Sequence, residues 1–358
     1  MTALTDHLLR RIAANGPLTV AEYMADGLLH PTHGYYTTRT PLGRAGDFIT
    51  APEISQMFGE LVGLCLAQAW MDRGCPAPFA LAELGPGRGT LMADALRATR
   101  GVDGFHAALQ LHLVEASSLM RNLQVEALTG YAPHFHQSTA TLPDLPLFLI
   151  ANEFFDALPI RQFRRTIEGA GDGWREVVVG ITEEALAFGL SDPMAVPALT
   201  HRLNDTEEGD FVEYCPAAQP ILQDIAARIA AQDGVALIID YGDWRSLGDT
   251  LQALRAHEPE HPLANPGAAD LTAHVDFEAL ALWSAPARHT RLTPQGTFLE
   301  RLGIGPRAEQ LARGLTGDAL QSHLAAYQRL TDPTQMGDLF KVMGLFKDGS
   351  PPPAGLTT

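Results

Sequence analysis

Lysine is nearly absent from this 358-residue chain: only Lys341 and Lys347 occur, although arginine is plentiful. The bias is a mark of genome composition and carries no mechanism. Positive charge is scarce overall. The 25 Lys and Arg face 42 Asp and Glu, a formal charge of −17, which argues against nucleic-acid binding driven by neutralised phosphates. Such an acidic surface chiefly keeps a protein soluble. Cysteine is limited to Cys65, Cys75 and Cys215, with no C-x-x-C, so no disulfide framework is expected and the thiols should stay reduced, as in a cytosol. The thirteen histidines form no H-E-x-x-H or other metal-ligand spacing, so no metal site is expected. No apolar run is long enough to cross a membrane, and the first ten residues, with Asp6 among them, lack the apolar core of a secretory signal. What remains is 46% hydrophobic and 19% charged. That composition can bury a substantial core in two domains, or in one domain with insertions.

The most informative stretch is Leu81-Ala-Glu-Leu-Gly-Pro-Gly-Arg-Gly-Thr90. Before it, Phe79-Ala-Leu-Ala82 suits a buried parallel strand; after it, Leu91-Met-Ala-Asp-Ala-Leu96 begins a helical pattern. Gly85, Gly87 and Gly89 let the main chain turn sharply and leave its N–H groups open to a ligand. The dinucleotide fingerprint spaces its glycines G-x-G-x-x-G, whereas here the third glycine comes one position early. Glu83 ends the strand, where an acid would meet a ligand's ammonium group well and a pyrophosphate badly. The loop resembles the first motif of class I methyltransferases that use S-adenosylmethionine. A second apolar strand, Leu111-His-Leu-Val-Glu115, also ends in an acid, and Glu115 can accept both ribose hydroxyls.

Strands and helices then alternate. Apolar strands are expected at 111–115, around 134–137, at 145–151 and at 234–242, with helices at 118–128, 276–283, 297–302, 307–315 and 320–330, and a final strand or its approach at 336–346. This is the pattern of a doubly wound, Rossmann-like α/β sheet that binds ligands at its strand ends. Ahead of it, residues 1–75 read as a helical block and lid, with helices at 4–12, 19–29 and 54–73. Thr19 and Glu22 form a capping-box pair. Residues 161–216 interrupt the core (76–160 and 217–348) as an inserted antiparallel β lobe, whose hairpin signal is Gly169-Ala-Gly-Asp-Gly173. Residues 257–271 read as irregular. The proline-rich end, 349–358, reads as a disordered tail.

After the apolar Leu147-Phe-Leu149 come Asn152, Glu153 and Asp156. They can be a helix start, with Asn152 as cap and the acids complementing the dipole, but two acids flanking two phenylalanines favour a catalytic role. The whole sequence resembles the MidA-like methyltransferase family. The matching segments are His30-Pro-Thr-His-Gly-Tyr-Tyr36, Gly46-Asp-Phe-Ile-Thr-Ala-Pro-Glu-Ile-Ser-Gln56, the 83–89 loop, Asn152–Pro159, Ile239-Asp-Tyr-Gly242, Asp270-Leu-Thr-Ala-His-Val-Asp-Phe277, Gln295-Gly-Thr-Phe-Leu299 and Met336-Gly-Asp-Leu-Phe-Lys341. The resemblance implies a class I fold, S-adenosylmethionine as cofactor, and a protein arginine as acceptor; the mitochondrial branch of the family assists respiratory complex I assembly by methylating a subunit. An acceptor in a respiratory NADH dehydrogenase and a bacterial cytoplasmic location are therefore expected, with no nucleic-acid partner and no membrane insertion.

On this reading Glu83, Gly85, Gly87, Gly89 and Glu115 bind the cofactor, joined by Gly46 and Thr50 from the N-terminal block. Glu153 and Asp156 orient the acceptor guanidinium, which is always charged and so a poor nucleophile, and Asn152 positions cofactor or acceptor. Asp47 and Glu53 belong to the N-terminal block, which can fold over the cofactor as a lid, though Pro52-Glu53 equally suits a plain helix start. Asp240 and Tyr241 are candidates for the acceptor pocket, Asp276 reads as an N-cap, and His274 as structural. Three other readings stay open: methylation of a small metabolite, a cofactor-binding assembly chaperone without catalysis, and a nicotinamide dehydrogenase.

Overall fold

A computed structural model describes residues 2–38, 50–167, 173–183 and 185–358. At its centre lies a sheet whose main strands are β1 (Phe79–Leu84), β2 (Leu109–Val114), β3 (His134–His136), β4 (Leu147–Asn152), β5 (Gly234–Asp243) and β6 (Phe340–Phe346). They lie in the order β3-β2-β1-β4-β5-β6. The first five run parallel, while β6 runs antiparallel to β5, Tyr241 facing Phe340. Chain order reverses between β1 and β4, which makes a crevice at their carboxyl ends.

Residues of the strands alternate between two apolar layers. Phe79 and Leu81 of β1, with Val235, Leu237 and Ile239 of β5, face the helices Gln56–Asp72 and Thr90–Ala98. Ala80, Ala82 and Leu84, with Ala236 and Ile238, face helices Ala218–Gln232 and Phe277–Trp283. Helix Gln56–Asp72 lies unusually close to Thr90–Ala98, because Gly59 and Gly63 face it. A Cβ on Gly63 would stand 2.5 Å from Ala95 Cα, and one on Gly59 would stand 2.8 Å from Asp94 Cβ. The contact fixes the helix that follows the glycine loop. The long helix expected at 54–73 is split: Ala51–Ile54 forms one turn, Ser55 is extended, and its side chain accepts from Met57 N to start Gln56–Asp72.

The inserted lobe pairs Arg161–Thr166 with Gly173–Thr182 and with Phe211–Tyr214, and Ala185–Leu190 extends it. The N-terminal block joins this sheet through Leu18–Thr19, with Leu18 facing Val179. Its two helices, Ala3–Asn15 and Val20–Leu29, pack with the lobe on a third apolar cluster. The expected capping box is present, Thr19 and Glu22 exchanging bonds at 2.9 and 3.1 Å.

Two further expectations need correction. Within 257–271, the strand Glu258–Glu260 pairs with Gln252–Arg255, which also pairs with Asp270–Thr272. The turn between them is made by Ala256 and His257, both at positive φ (53° and 64°). A two-residue turn of this kind normally carries Asn-Gly, so the sequence hides it. The tail is also ordered. Leu356 is buried in the core, Arg73 and Arg301 donate to Pro351 O and Gly355 O, and Cys65 donates to Ala354 O.

Candidate active site

A cavity of about 360 Å³ opens at the carboxyl ends of β1 to β4. Its floor is the glycine loop. Gly85, Gly87 and Gly89 all have positive φ (56°, 52° and 84°), and Gly89 caps helix Thr90–Ala98. A Cβ on Gly85 would stand 2.9 Å from the Phe154 ring, so a side chain there meets both strain and a wall.

Two acids meet the cavity from neighbouring strand tips. Glu83, the penultimate residue of β1, is buried with Oε2 lacking any hydrogen bond among the described residues. Burial pushes its carboxyl up to about 8. A buried acceptor without a partner costs on the order of 1–3 kcal/mol, and a cationic group in the cavity would remove that cost. Glu115 follows β2. Its Oε1 accepts from Ser117 N (2.7 Å) and its Oε2 from Gln124 Nε2 (3.1 Å), and burial also raises its pKa. Each oxygen keeps a lone pair for a ligand hydroxyl. Beyond Glu115 the wall continues through Gln137, Ser138 and Thr139 after β3.

Gln124 was not foreseen. From helix Ser118–Ala127 its amide donates to Gly87 O (2.7 Å) as well as to Glu115, tying the glycine loop to the acid of the next strand. Its only sequence signal is a polar residue on the inward face of an amphipathic helix.

At the tip of β4, Asn152 and Glu153 both reach the cavity. Glu153 has φ 49°, a rare conformation for a residue with a side chain and a mark of strain held by its surroundings. Its Oε1 accepts from Ala51 N (3.0 Å) and Asn152 Nδ2 (3.1 Å), and burial lifts its carboxyl to about 7. Asp156 stands one layer behind. It is buried, is not part of the cavity wall, and its pKa is raised by burial. The expected pairing of Glu153 with Asp156 across an acceptor is therefore not what the fold presents. Asp240 is not on the wall either. Its Oδ2 accepts from the N–H groups of Phe154, Phe155 and Asp156 (3.2, 3.0 and 3.3 Å), and its Oδ1 accepts from Tyr241 N. It shapes the loop after β4.

Thr50, Pro52 and Glu53 also line the cavity. Glu53 is engaged, accepting from Thr90 Oγ1 (2.6 Å) with Arg88 3.8 Å away. The 50–54 turn is thus latched twice, by Glu53 to the helix after the glycine loop and by Glu153 to Ala51. Gly46 and Asp47 lie outside the described residues. Tyr36 adds to the wall and donates to Asp270 (2.9 Å), which joins two of the motif segments across 234 positions. Asp276 caps helix Phe277–Trp283, and His274 lies edge-on to the Tyr241 ring, 5.3 Å away, and is not part of this cavity. Among the described residues no His, Cys, Asp and Glu group could hold a metal, and no helix is long and apolar enough to cross a membrane.

A glycine cradle with an acid on each of two adjacent strand tips, at the point where strand order reverses, defines the class: an α/β nucleoside-binding fold of the class I methyltransferase type. The orphaned Glu83 oxygen and the Cβ-free cradle fit S-adenosylmethionine, a cation bearing an ammonium and a ribose. The comparisons agree. The model of an S-adenosyl-L-methionine-dependent methyltransferase family matches residues 61–295, and the chain belongs to that family. It is 37% identical to the mitochondrial protein arginine methyltransferase NDUFAF7 of Xenopus tropicalis, over 99% of this chain and 89% of that protein. Against the Bos taurus protein of the same name the identity is 38%, over 96% and 83%. A crystal structure of a Burkholderia thailandensis protein with S-adenosyl-homocysteine bound superposes with a TM-score of 0.81 at 27% identity, covering 99% of this chain and 94% of that one. The chain is an S-adenosylmethionine-dependent methyltransferase.

Proposed function

We propose that the chain methylates an arginine side chain of a protein, with Glu83, the 85–89 loop and Glu115 holding the cofactor and the tip of β4 receiving the acceptor. The observation that carries the reading is the hydrogen-bond character of that tip. Asn152 Oδ1 is buried without a hydrogen bond among the described residues, and Glu153 carries an accepting carboxyl oxygen, so the wall offers acceptors to a group rich in N–H donors. A guanidinium has five N–H donors and no acceptor. Similarity to two named protein arginine methyltransferases supports the same acceptor.

S-adenosylmethionine supplies the methyl group on a positively charged sulfur. The protein supplies alignment and a charge environment that favours transfer. A carboxylate at the tip of β4 draws guanidinium charge toward the nitrogens it binds and leaves the reacting nitrogen more electron-rich. By family resemblance the acceptor is a subunit of a respiratory NADH dehydrogenase, met in a bacterial cytoplasm. Extract from a strain lacking the protein, incubated with methyl-labelled cofactor and the purified chain, should yield labelled methylarginine after acid hydrolysis. Label confined to small molecules would refute the protein acceptor. Unaltered arginine masses in the NADH dehydrogenase of that strain would refute the named partner.

A further inference from the structure

Asn152 sits with its amide oriented. Its Nδ2 donates to Glu153 Oε1 at 3.1 Å, and that same oxygen is held in place by Ala51 N at 3.0 Å. The two bonds pin the amide, so Oδ1 is the end left over; it is buried, without a hydrogen bond among the described residues, and belongs to a residue of the cavity wall. Glu153 Oε1 is taken twice. Glu153 Oε2 makes no hydrogen bond among the described residues. The tip of β4 therefore presents, on consecutive residues, two acceptors that make no hydrogen bond among the described residues. The same cavity wall carries apolar side chains, Ala25, Leu28 and Leu29 from helix Val20–Leu29 and Leu158 and Pro159 after β4.

A cavity wall that combines apolar side chains with two such acceptors suits an aliphatic stem that ends in a planar cation. It suits a carboxylate or carbonyl substrate poorly, because either would face two like-signed oxygens. We infer that Asn152 Oδ1 and Glu153 Oε2 together read the acceptor as an alkylguanidinium, each taking one N–H, and that Asn152, fixed by Glu153, is the specificity-determining residue. The inference rests on the arginine reading and adds the atoms that select it. Asp156 and Asp240 are not on the cavity wall, and Asp240 shapes the loop from behind it.

The test uses the full chain, methyl-labelled cofactor and extract from a strain lacking the protein, with ethylguanidine as competing probe. Three variants are compared: Asn152→Leu, Asn152→Asp and Glu153→Gln. Asn152→Leu keeps the volume and loses the acceptor. Asn152→Asp keeps an accepting oxygen and can share one proton with Glu153. Loss of one charge-assisted hydrogen bond predicts a drop of roughly 10- to 100-fold in kcat/KM for Asn152→Leu and for Glu153→Gln. Asn152→Asp should stay within about 5-fold of the parent, and calorimetric affinity for S-adenosylhomocysteine should hold in all three. Ethylguanidine should inhibit the parent and lose potency against Asn152→Leu. A merely structural Asn152 would make Asp, a buried extra acid, at least as harmful as Leu; that result overturns the inference, as would undiminished labelling by Asn152→Leu. A parent that makes no methylarginine removes the arginine reading and this one with it. Methylarginine made equally by all variants removes only this one.

Discussion

Glu83→Gln should separate the cost of the cofactor site from its use. Burial raises Glu83 from 4.5 to about 8 in the folded chain. For an acid shifted upward the linkage runs against the usual carboxylate: the folded state holds its proton longer than the unfolded state. Stability from this group is complete below pH 4.5 and is lost as pH rises toward 8. At pH 7 the gap is 7 − 4.5 = 2.5 units, and at ~1.4 kcal/mol per unit the penalty is roughly 3 kcal/mol. Glutamine does not titrate, so the variant lacks the slope. Urea melts of the ligand-free chain from pH 5 to 8 should show the parent weakening relative to Glu83→Gln by about 1 kcal/mol per unit. The cofactor should reverse the ranking. A cation binds the ionised form, so parent affinity for S-adenosylmethionine should climb about tenfold per unit from pH 6 to 8 while the variant stays flat and weak. Parallel stability curves for the two proteins, or equal affinities across that range, would refute the reasoning.

Other substitutions reach different parts of the account. Gln124→Leu removes the bonds to Gly87 O and Glu115 and should weaken S-adenosylhomocysteine about 10-fold, measured by calorimetry; unchanged affinity would show that the loop needs no tie. Glu60 is buried and accepts from Arg97 and Arg307 at 2.9 and 2.8 Å, but Arg97 is 42% exposed. Glu60→Ala should therefore cost only about 1–3 kcal/mol in a denaturant melt, and a loss above that range would mean the cluster is better shielded than described. Leu356→Ala should cost about 2–4 kcal/mol because Leu356 belongs to the core; a neutral result would return the tail to disorder.

The sheet and its loop were legible because buried parallel strands are short apolar runs. Such runs at 79–82, 145–151 and 234–242, each with an acid within or just beyond its end, admit few other readings. The lobe was legible by its short strand-like runs and hairpin signal, although burial along its first strand does not alternate: Gln162 and Phe163 are both buried and Arg164 is exposed. Features that depend on contacts far along the chain were not. Nothing local says that Ala256-His257 will turn like Asn-Gly, or that a run of prolines ending in Leu356 will be held by Cys65, Arg73 and Arg301. The acids at the tip of β4 show the same limit. Glu153 and Asp156 look equivalent in sequence, three residues apart, yet the positive φ at Glu153 and the three N–H groups gathered by Asp240 turn one toward the cavity and bury the other behind it. Gln124 became visible only when its helix was laid against the glycine loop.

Calorimetric titration of S-adenosylhomocysteine into the parent, Gly85→Val and Glu115→Ala tests the cofactor site most directly. The parent should bind one equivalent, and each variant, still folded by circular dichroism, should bind at least ~10-fold more weakly. Folded variants that bind the nucleoside as tightly as the parent would contradict the assignment of the cavity and every role derived from it.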